Sequence, residues 1–304
     1  MHSRHAMSVQ IRAFNEKDMT AVVSLINEQS RGSYEFVPFT EERIRSMMQE
    51  GRLKIAVAEE NSEFVGSAAY HDGHWGEEIE WLTVSKAQNR KTIGDALVRE
   101  IEKFVKNKKV FTSVGVGSPL INEWMERGYK PEGGLCHMIA NLEGVDPLPK
   151  IPVGIILRSL KPREDKDLVD AVNAGFGWER LKQDDIQKWK TDSPDFSEEW
   201  VHVAESRDKI VSIVVAKRDV NHDRFFGGKR GYLGPASTLP EYRGKNIASA
   251  LTRRAMNFLY EKGMTSVVLY TSEQNVVSVA LLQRLGFRIG HNWKFMRKVL
   301  SQPG

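Results

Sequence analysis

Cysteine occurs once in the 304 residues, at Cys136. A single thiol excludes an internal disulfide and any zinc site built on cysteines. Long apolar runs are missing as well. None approaches the ~18 residues that a membrane span requires, so no membrane partner is expected. The N-terminus lacks the apolar core of a signal peptide, which makes a cytoplasmic location the default expectation. Residues 1–7 read as a leader without fold content, with Met7 the natural start. Net charge is only +4, and no helix-turn-helix, RNA-recognition or zinc-finger pattern accompanies it, so nucleic acid is not an expected partner. With 40% hydrophobic and 28% charged residues, the composition is that of an ordinary globular protein. The length suits two domains of about 150 residues each.

What the chain does contain is one plan written twice. Ile11-Arg12-Ala13-Phe14 with Asp18 opens the first copy, and Leu157-Arg158-Ser159-Leu160 with Asp165 opens the second. An apolar-periodic helix follows each, over 19–28 and 168–176. Strands are predicted at 53–59, 63–70 and 78–84, matched by 200–205, 210–217 and 232–238. Gly128-Tyr129 and Gly286-Phe287 close the copies. The offset between them drifts from 146 residues (Ile11 to Leu157) to 158 (Gly128 to Gly286), as loop insertions allow. Pro147, Pro149 and Pro152 mark a segment with few helix or strand credentials. This sets the domains at 8–145 and 153–304, with 146–152 as a linker. Alternating strands and helices predict an α/β or α+β sandwich in each.

The richest stretch is 231–287. A strand ending in Ser237-Thr238-Leu239 leads into Pro240-Glu241-Tyr242-Arg243-Gly244-Lys245-Asn246-Ile247-Ala248. Small residues and backbone N–H groups there meet a helix start beside two cations, a recipe for holding phosphate. The helix puts Ile247, Leu251, Ala255 and Phe258 on one face and leaves Arg253, Arg254 and Asn257 outward. A strand over 265–271 follows, then Asn275 and a further helix. From Lys217 to Lys298, fifteen Lys or Arg stand against five Asp or Glu, which fits a solvated basic face or a site for an anionic ligand. This order, and the hexapeptide from Arg243 to Ala248, resemble the GNAT superfamily of acetyltransferases, whose loop reads Q/R-x-x-G-x-G/A. Asn246 stands in for the usual glycine, and asparagine tolerates left-handed backbone better than most residues. The layout is similar to that of tandem members of the superfamily. The resemblance implies two acyl-CoA N-acyltransferase domains, each a mixed, mostly antiparallel sheet flanked by helices, with the chemistry in the second.

The resemblance also implies a site. Backbone N–H groups of Arg243, Gly244, Lys245, Asn246, Ile247 and Ala248 would bind the pyrophosphate of acetyl-CoA. Ser237, Thr238 and Leu239 would pair with the pantetheine arm, and Asn275, with Ser278 nearby, would reach the pantetheine and the reacting region. A primary amine of a small molecule would attack the thioester directly, in a monomer or homodimer. The pattern breaks at the catalytic side chains. Leu282 occupies the place of a tyrosine acid in many relatives and cannot donate a proton. Tyr232 falls on the base position of some relatives, as an acid, a water-holder or a packed strand aromatic. Glu205, Glu273, Tyr270, His291 and Ser278 read better as structural residues than as catalytic ones. The alternative is a non-catalytic CoA-binding or regulatory module with a degenerate active site.

In the first copy the loop reads Asn89-Arg90-Lys91-Thr92-Ile93-Gly94, and β-branched Thr92 suits an unusual backbone angle poorly. The next helix keeps an apolar stripe at Ile93, Leu97, Ile101 and Phe104. Glu78 falls on the base position and Trp124 on the acid position, while Gly117 stands where a counterpart of Asn275 would be. A degenerate first copy is expected, with Glu78 either a base or a salt-bridged strand residue. His71, Asp72 and His74 read as a polar turn, and no metal is expected. Phe225-Phe226-Gly227-Gly228 reads as a flexible loop at the substrate mouth. Phe176, Trp178 and Trp189 are expected to shape the acceptor pocket.

Overall fold

Residues 9–301, apart from 74, 86–88 and 194, are described by a computed structural model. The leader and His74 lie outside the described residues. The first unit of the fold holds β1 (Val9–Ala13), α1 (Met19–Ser30), α2 (Glu41–Gln49), β2 (Leu53–Glu60), β3 (Glu63–Gly73), β4 (Gly76–Val84), α3 (Arg90–Glu102), β5 (Lys109–Gly115) and α4 (Leu120–Glu126). Strands β1 to β4 pair antiparallel in sequence order, and β5 joins β4 in parallel. Side chains alternate along each strand, and in β4 a bulge at Glu80 exchanges the faces. Ile55, Val57, Ala69 and Trp81 therefore pack with Met19, Val22 and Ile26 of α1 and Ile44 of α2. Ala56, Ala68, Tyr70 and Ile79 pack with Ile93, Leu97 and Ile101 of α3. Phe104, expected on that stripe, lies past the end of α3 and is exposed.

After β6 (Lys130–Asn141) the chain forms β7 (Ile156–Ser159), α5 (Asp165–Phe176), α6 (Gln183–Asp192), β8 (Val201–Ser206), β9 (Lys209–Arg218), α7 (Val220–Phe226), β10 (Arg230–Thr238), α8 (Ile247–Glu261), β11 (Ser266–Ser272), α9 (Val276–Arg284) and β12 (Arg288–Val299). The second unit's sheet runs β6-β11-β10-β9-β8-β7. Its middle strand β9 is buried from Ile210 to Ala216, as a strand covered on both faces must be. Phe225 and Phe226 end α7, so the segment read as a loop is helical up to Gly227.

The two copies share devices that the sequence shows only in outline. Arg12 pairs with Asp18 and Glu59, and Arg158 pairs with Glu164 and Glu205. All three positions keep the 146-residue offset, so the second acid is Glu164 rather than the neighbouring Asp165. Both closing pairs are the same helix cap. Gly128 (φ 85°) and Gly286 (φ 96°) turn left-handed, and the N–H groups of Tyr129 and Phe287 reach back to Trp124 and Leu282 carbonyls.

The boundary near residue 150 is not where the units divide. One unit is the chain up to Gly134 together with its end from Asn292; the other is Leu135–His291. The strand after each cap completes the other copy's sheet: Leu135 to Asn141 of β6 pair with β11, and Trp293 to Val299 of β12 pair with β5. The expected linker is tied down at its start, where Asp146 receives Arg253 and exchanges hydrogen bonds with Asn257. Arg253 and Asn257 of α8 therefore do not simply face solvent. Among the described residues, no helix is long and apolar enough to cross a membrane.

Candidate active site

Two strands that begin together and then part create the site in the second unit. β10 and β11 are paired in parallel only from Arg230 to Tyr232, opposite Ser266 to Val268. β11 stays on β6 as far as Ser272, while β10 keeps β9, with a bulge between Leu233 and Ala236. Among the described residues, Leu233 to Thr238 have no ladder partner on the β11 side. An open edge of this kind offers backbone N–H and C=O groups to another extended group. Pro235 supplies no N–H to either side.

Tyr232 stands at the parting point. A Cβ on Gly234 would lie 3.1 Å from the Tyr232 ring and hydroxyl, so the glycine lets the phenol fold along the strand. Across the gap is Tyr270, with ring centroids 6.3 Å apart, and Tyr270 in turn stacks on His137 at 4.6 Å. Burial pushes the Tyr232 phenol above its ordinary range, although the nearby Arg180 charge opposes this. The phenol therefore stays protonated at neutral pH. Arg180 comes from the connection between α5 and α6, and desolvation lowers its own pKa. Its guanidinium lies 5.7 Å from the Phe176 ring, and Phe176 meets Trp178 edge to face at 5.8 Å. Both aromatics are exposed. Trp189 is instead packed on Phe196, with the Lys217 ammonium 3.6 Å from its ring.

Beyond Thr238 the backbone turns through Pro240–Tyr242, and then Gly244 (φ 72°) and Asn246 (φ 60°) adopt left-handed conformations before α8 starts. The first helical bond runs from Ala250 N–H to Asn246 C=O, and the Asn246 side chain does not cap. The N–H groups of Ile247, Ala248 and Ser249 thus have no acceptor inside the helix. Such an end attracts an anion, at roughly 0.3–1 kcal/mol per exposed contact. The two flanking cations build the loop. Arg243 donates from Nε to the Thr238 carbonyl at 3.1 Å and from Nη2 to the Gly175 carbonyl at 2.7 Å. Lys245 Nζ donates to the Glu241 carbonyl at 2.9 Å. Both stand beside the turn as expected, and these bonds hold it against β10 and the end of α5.

Of the other expected residues, Ser237 and Thr238 are positioned by Ser212, whose hydroxyl meets the Ser237 carbonyl at 3.1 Å and Thr238 Oγ1 at 2.7 Å. Leu239 N–H donates to the Val211 carbonyl at 2.9 Å. Asn275 caps α9, its Oδ1 accepting Ser278 N–H at 3.2 Å, which leaves its amide NH2 as the donor for other work. Leu282 is core, 4% exposed, and offers only its carbonyl to the cap.

The first unit handles the equivalent loop differently. Arg90, Lys91 and Thr92, which correspond to Gly244, Lys245 and Asn246, are already the first turn of α3. Lys91 reaches Glu126 at 2.6 Å, and Arg127 reaches Asp95 at 2.9 Å. Trp124 is buried against Tyr129. Glu78 does not stand alone: His71 Nδ1 lies 3.1 Å from its Oε1 and 3.2 Å from Glu80 Oε2. Glu78 and then Glu80 hold the His71 imidazolium, raising its pKa to about 9, while burial raises that of Glu78.

Two family models match the chain, "Acetyltransferase (GNAT) family" over residues 165–287 and "Acetyltransferase (GNAT) domain" over residues 24–120. The chain is a tandem GNAT acetyltransferase. A mycothiol acetyltransferase of Saccharomonospora viridis is 27% identical over 227 residues, covering 70% of this chain and 72% of that protein. A GCN5-related N-acetyltransferase from Sphaerobacter thermophilus superposes with a TM-score of 0.67 at 18% identity, covering 97% of this chain and 96% of the other. A tandem GNAT protein from the clavulanic acid biosynthesis pathway gives a TM-score of 0.63 at 14% identity, covering 98% and 100%. These two likenesses speak for the fold.

In this GNAT chain, Tyr232 lies at the parting of β10 from β11, and Ser237 to Ala248 form the continuous path from that open edge to the start of α8. Two contributors escaped the sequence reading. Arg180 sits in an irregular connection with no periodic signal. The partnership of His71 with Glu78 depends on the register of the hairpin between β3 and β4, which sets those residues directly opposite.

Proposed function

We propose that the second unit binds acetyl-CoA and passes its acetyl group to a primary amine of a small molecule, by direct attack of the amine on the thioester. One observation carries the reading: β10 parts from β11 at Tyr232, and its open edge leads into the left-handed turn and the uncapped start of α8. Acetyl-CoA would supply an activated acetyl thioester. The residues present fit it. N–H groups from Gly244 to Ala248 suit a pyrophosphate, and the Ser237 to Leu239 edge suits the amides of the pantetheine arm. A backbone N–H on the open edge of β10 would stabilise charge developing on the thioester oxygen; one preorganised donor of this kind is worth about 3 kcal/mol. Tyr232, held protonated by burial, is the group to give a proton to the departing thiolate, balanced by the proton that the attacking amine releases. Asn275 retains an amide donor at the start of α9. Arg180, Phe176 and Trp178 would line the entry of the acceptor, which suits an amine that also carries an anionic or planar group.

Buried Leu282, in place of a tyrosine acid, favours a second reading: a coenzyme-binding module without turnover. Calorimetric titration of acetyl-CoA into wild type and Asn246→Val, followed by thioester consumption over a panel of primary amines, separates the two. Binding that Asn246→Val abolishes, with turnover of at least one amine, is the expected result. Binding without turnover across the panel leaves the module. No binding by a folded wild-type protein removes both.

A further inference from the structure

The first unit carries a cluster that acetyl transfer in the second does not use. His71 on β3 faces Glu78 on β4, and Glu80, the extra residue at the register shift between Ile79 and Trp81, also comes within reach of the His71 ring. The three side chains are 19%, 18% and 20% exposed, so the cluster is walled by protein yet open on one side. One oxygen from each glutamate and Nδ1 of the histidine all lie within 4.8 Å of one another. Zinc bound to imidazole nitrogen and carboxylate oxygen at about 2.0–2.2 Å sets neighbouring donors roughly 3.3–3.5 Å apart in a tetrahedron. The 3.1 and 3.2 Å separations from His71 Nδ1 are close to that edge length. Small side-chain rotations would complete it.

Gly73 provides an independent observation. A Cβ at this residue would stand 2.5 Å from Glu78 Oε1 and 3.2 Å from His71 Nδ1. Gly73 is not among the glycines with positive φ, so its backbone conformation does not call for a glycine. What the missing side chain secures is space directly over two of the three donor atoms. We propose that His71, Glu78 and Glu80 form a three-ligand site for a divalent transition-metal ion of the zinc class, with a fourth coordination position open toward solvent. The donor set, one imidazole and two carboxylates, suits such an ion, and its two formal negative charges balance a dication. No fourth protein ligand is required, as in metal sites that keep one position for water or a substrate.

The test is calorimetric titration of zinc chloride into the full chain as wild type, Glu80→Gln, the double variant Glu78→Gln with Glu80→Gln, and Gly73→Ala, each checked for native circular dichroism. One equivalent per chain should bind to wild type at this site, at least tenfold weaker in Glu80→Gln and in Gly73→Ala, and not measurably in the double variant. Zinc-edge X-ray absorption of the loaded wild type needs no variant and should show one imidazole with carboxylate oxygens and no sulfur. Absence of binding to wild type would overturn the proposal, and so would full binding in the double variant or a first shell of several imidazoles.

Discussion

Replacing His202 by leucine should flatten the acid sensitivity of this protein. His202 sits on β8 beneath α8, 1% exposed, with the Phe258 ring 5.1 Å away edge to face. Among the described residues, neither ring nitrogen has a hydrogen-bond partner. Desolvation, assisted by the nearby Arg254 charge, pushes its pKa from 6.5 down to about 3. The imidazole is therefore neutral in the fold while the unfolded chain takes up a proton near pH 6.5. A depressed folded pKa means that stability is fully present above 6.5 and is lost as pH falls toward 3. Each pH unit inside that window costs at most about 1.4 kcal/mol, so moving from pH 7 to pH 5 costs about 2 kcal/mol through this one group. Leucine has similar volume and no proton to gain. Urea unfolding of both proteins at pH 7 and pH 5 reads the effect, and the comparison cancels groups common to both. Wild type should lose about 2 kcal/mol more than His202→Leu between the two pH values. Equal losses within ~0.5 kcal/mol would refute the argument, because they would mean that the imidazole is already solvated or partnered.

Other outcomes follow from the site. Tyr232→Phe should lower kcat by about 100-fold or more, with little change in the KM for acetyl-CoA, if the phenol supplies a proton; an unchanged kcat in initial-rate assays would remove it from the chemistry. Arg243→Ala deletes the bonds to the Thr238 and Gly175 carbonyls, and should raise the KM for acetyl-CoA about tenfold through a loosened loop, with a smaller effect on kcat. Arg180→Ala should leave calorimetric acetyl-CoA affinity within about twofold while changing the order of preference among amine acceptors; an unchanged order would place acceptor selection elsewhere. Leu251→Ala, on the fully buried face of α8, should cost about 2–5 kcal/mol in urea unfolding, and a loss below ~1 kcal/mol would contradict its place in the core of the second unit.

Legibility in the sequence followed the range of the interactions involved. The turn at Gly244 and Asn246, the start of α8 and the caps at Gly128 and Gly286 depend on conformational preferences spanning a few residues, and each was readable where it stands. Side-chain reach was less legible: Arg243 and Lys245 also donate to the Gly175, Thr238 and Glu241 carbonyls, which the sequence does not show. The roles of Arg253 and Asn257 failed for the same reason, since Asp146 lies more than a hundred residues away in sequence.

By itself, the sequence determined that one α/β plan occurs twice, and that Gly244 and Asn246 suit a left-handed turn where the other copy has β-branched Thr92. Periodicity and backbone preference are properties of short segments, and they survive without knowledge of the rest. Only the tertiary structure decided that β6 and β12 each complete the other copy's sheet, because a strand's alternation fixes its faces and not the edge it joins. It alone also brought Tyr232 to the point where two strands part, and set His71 between two glutamates under a glycine with room above them. Those arrangements depend on pairing register and on distant walls that exclude water, and no local stretch of sequence contains either.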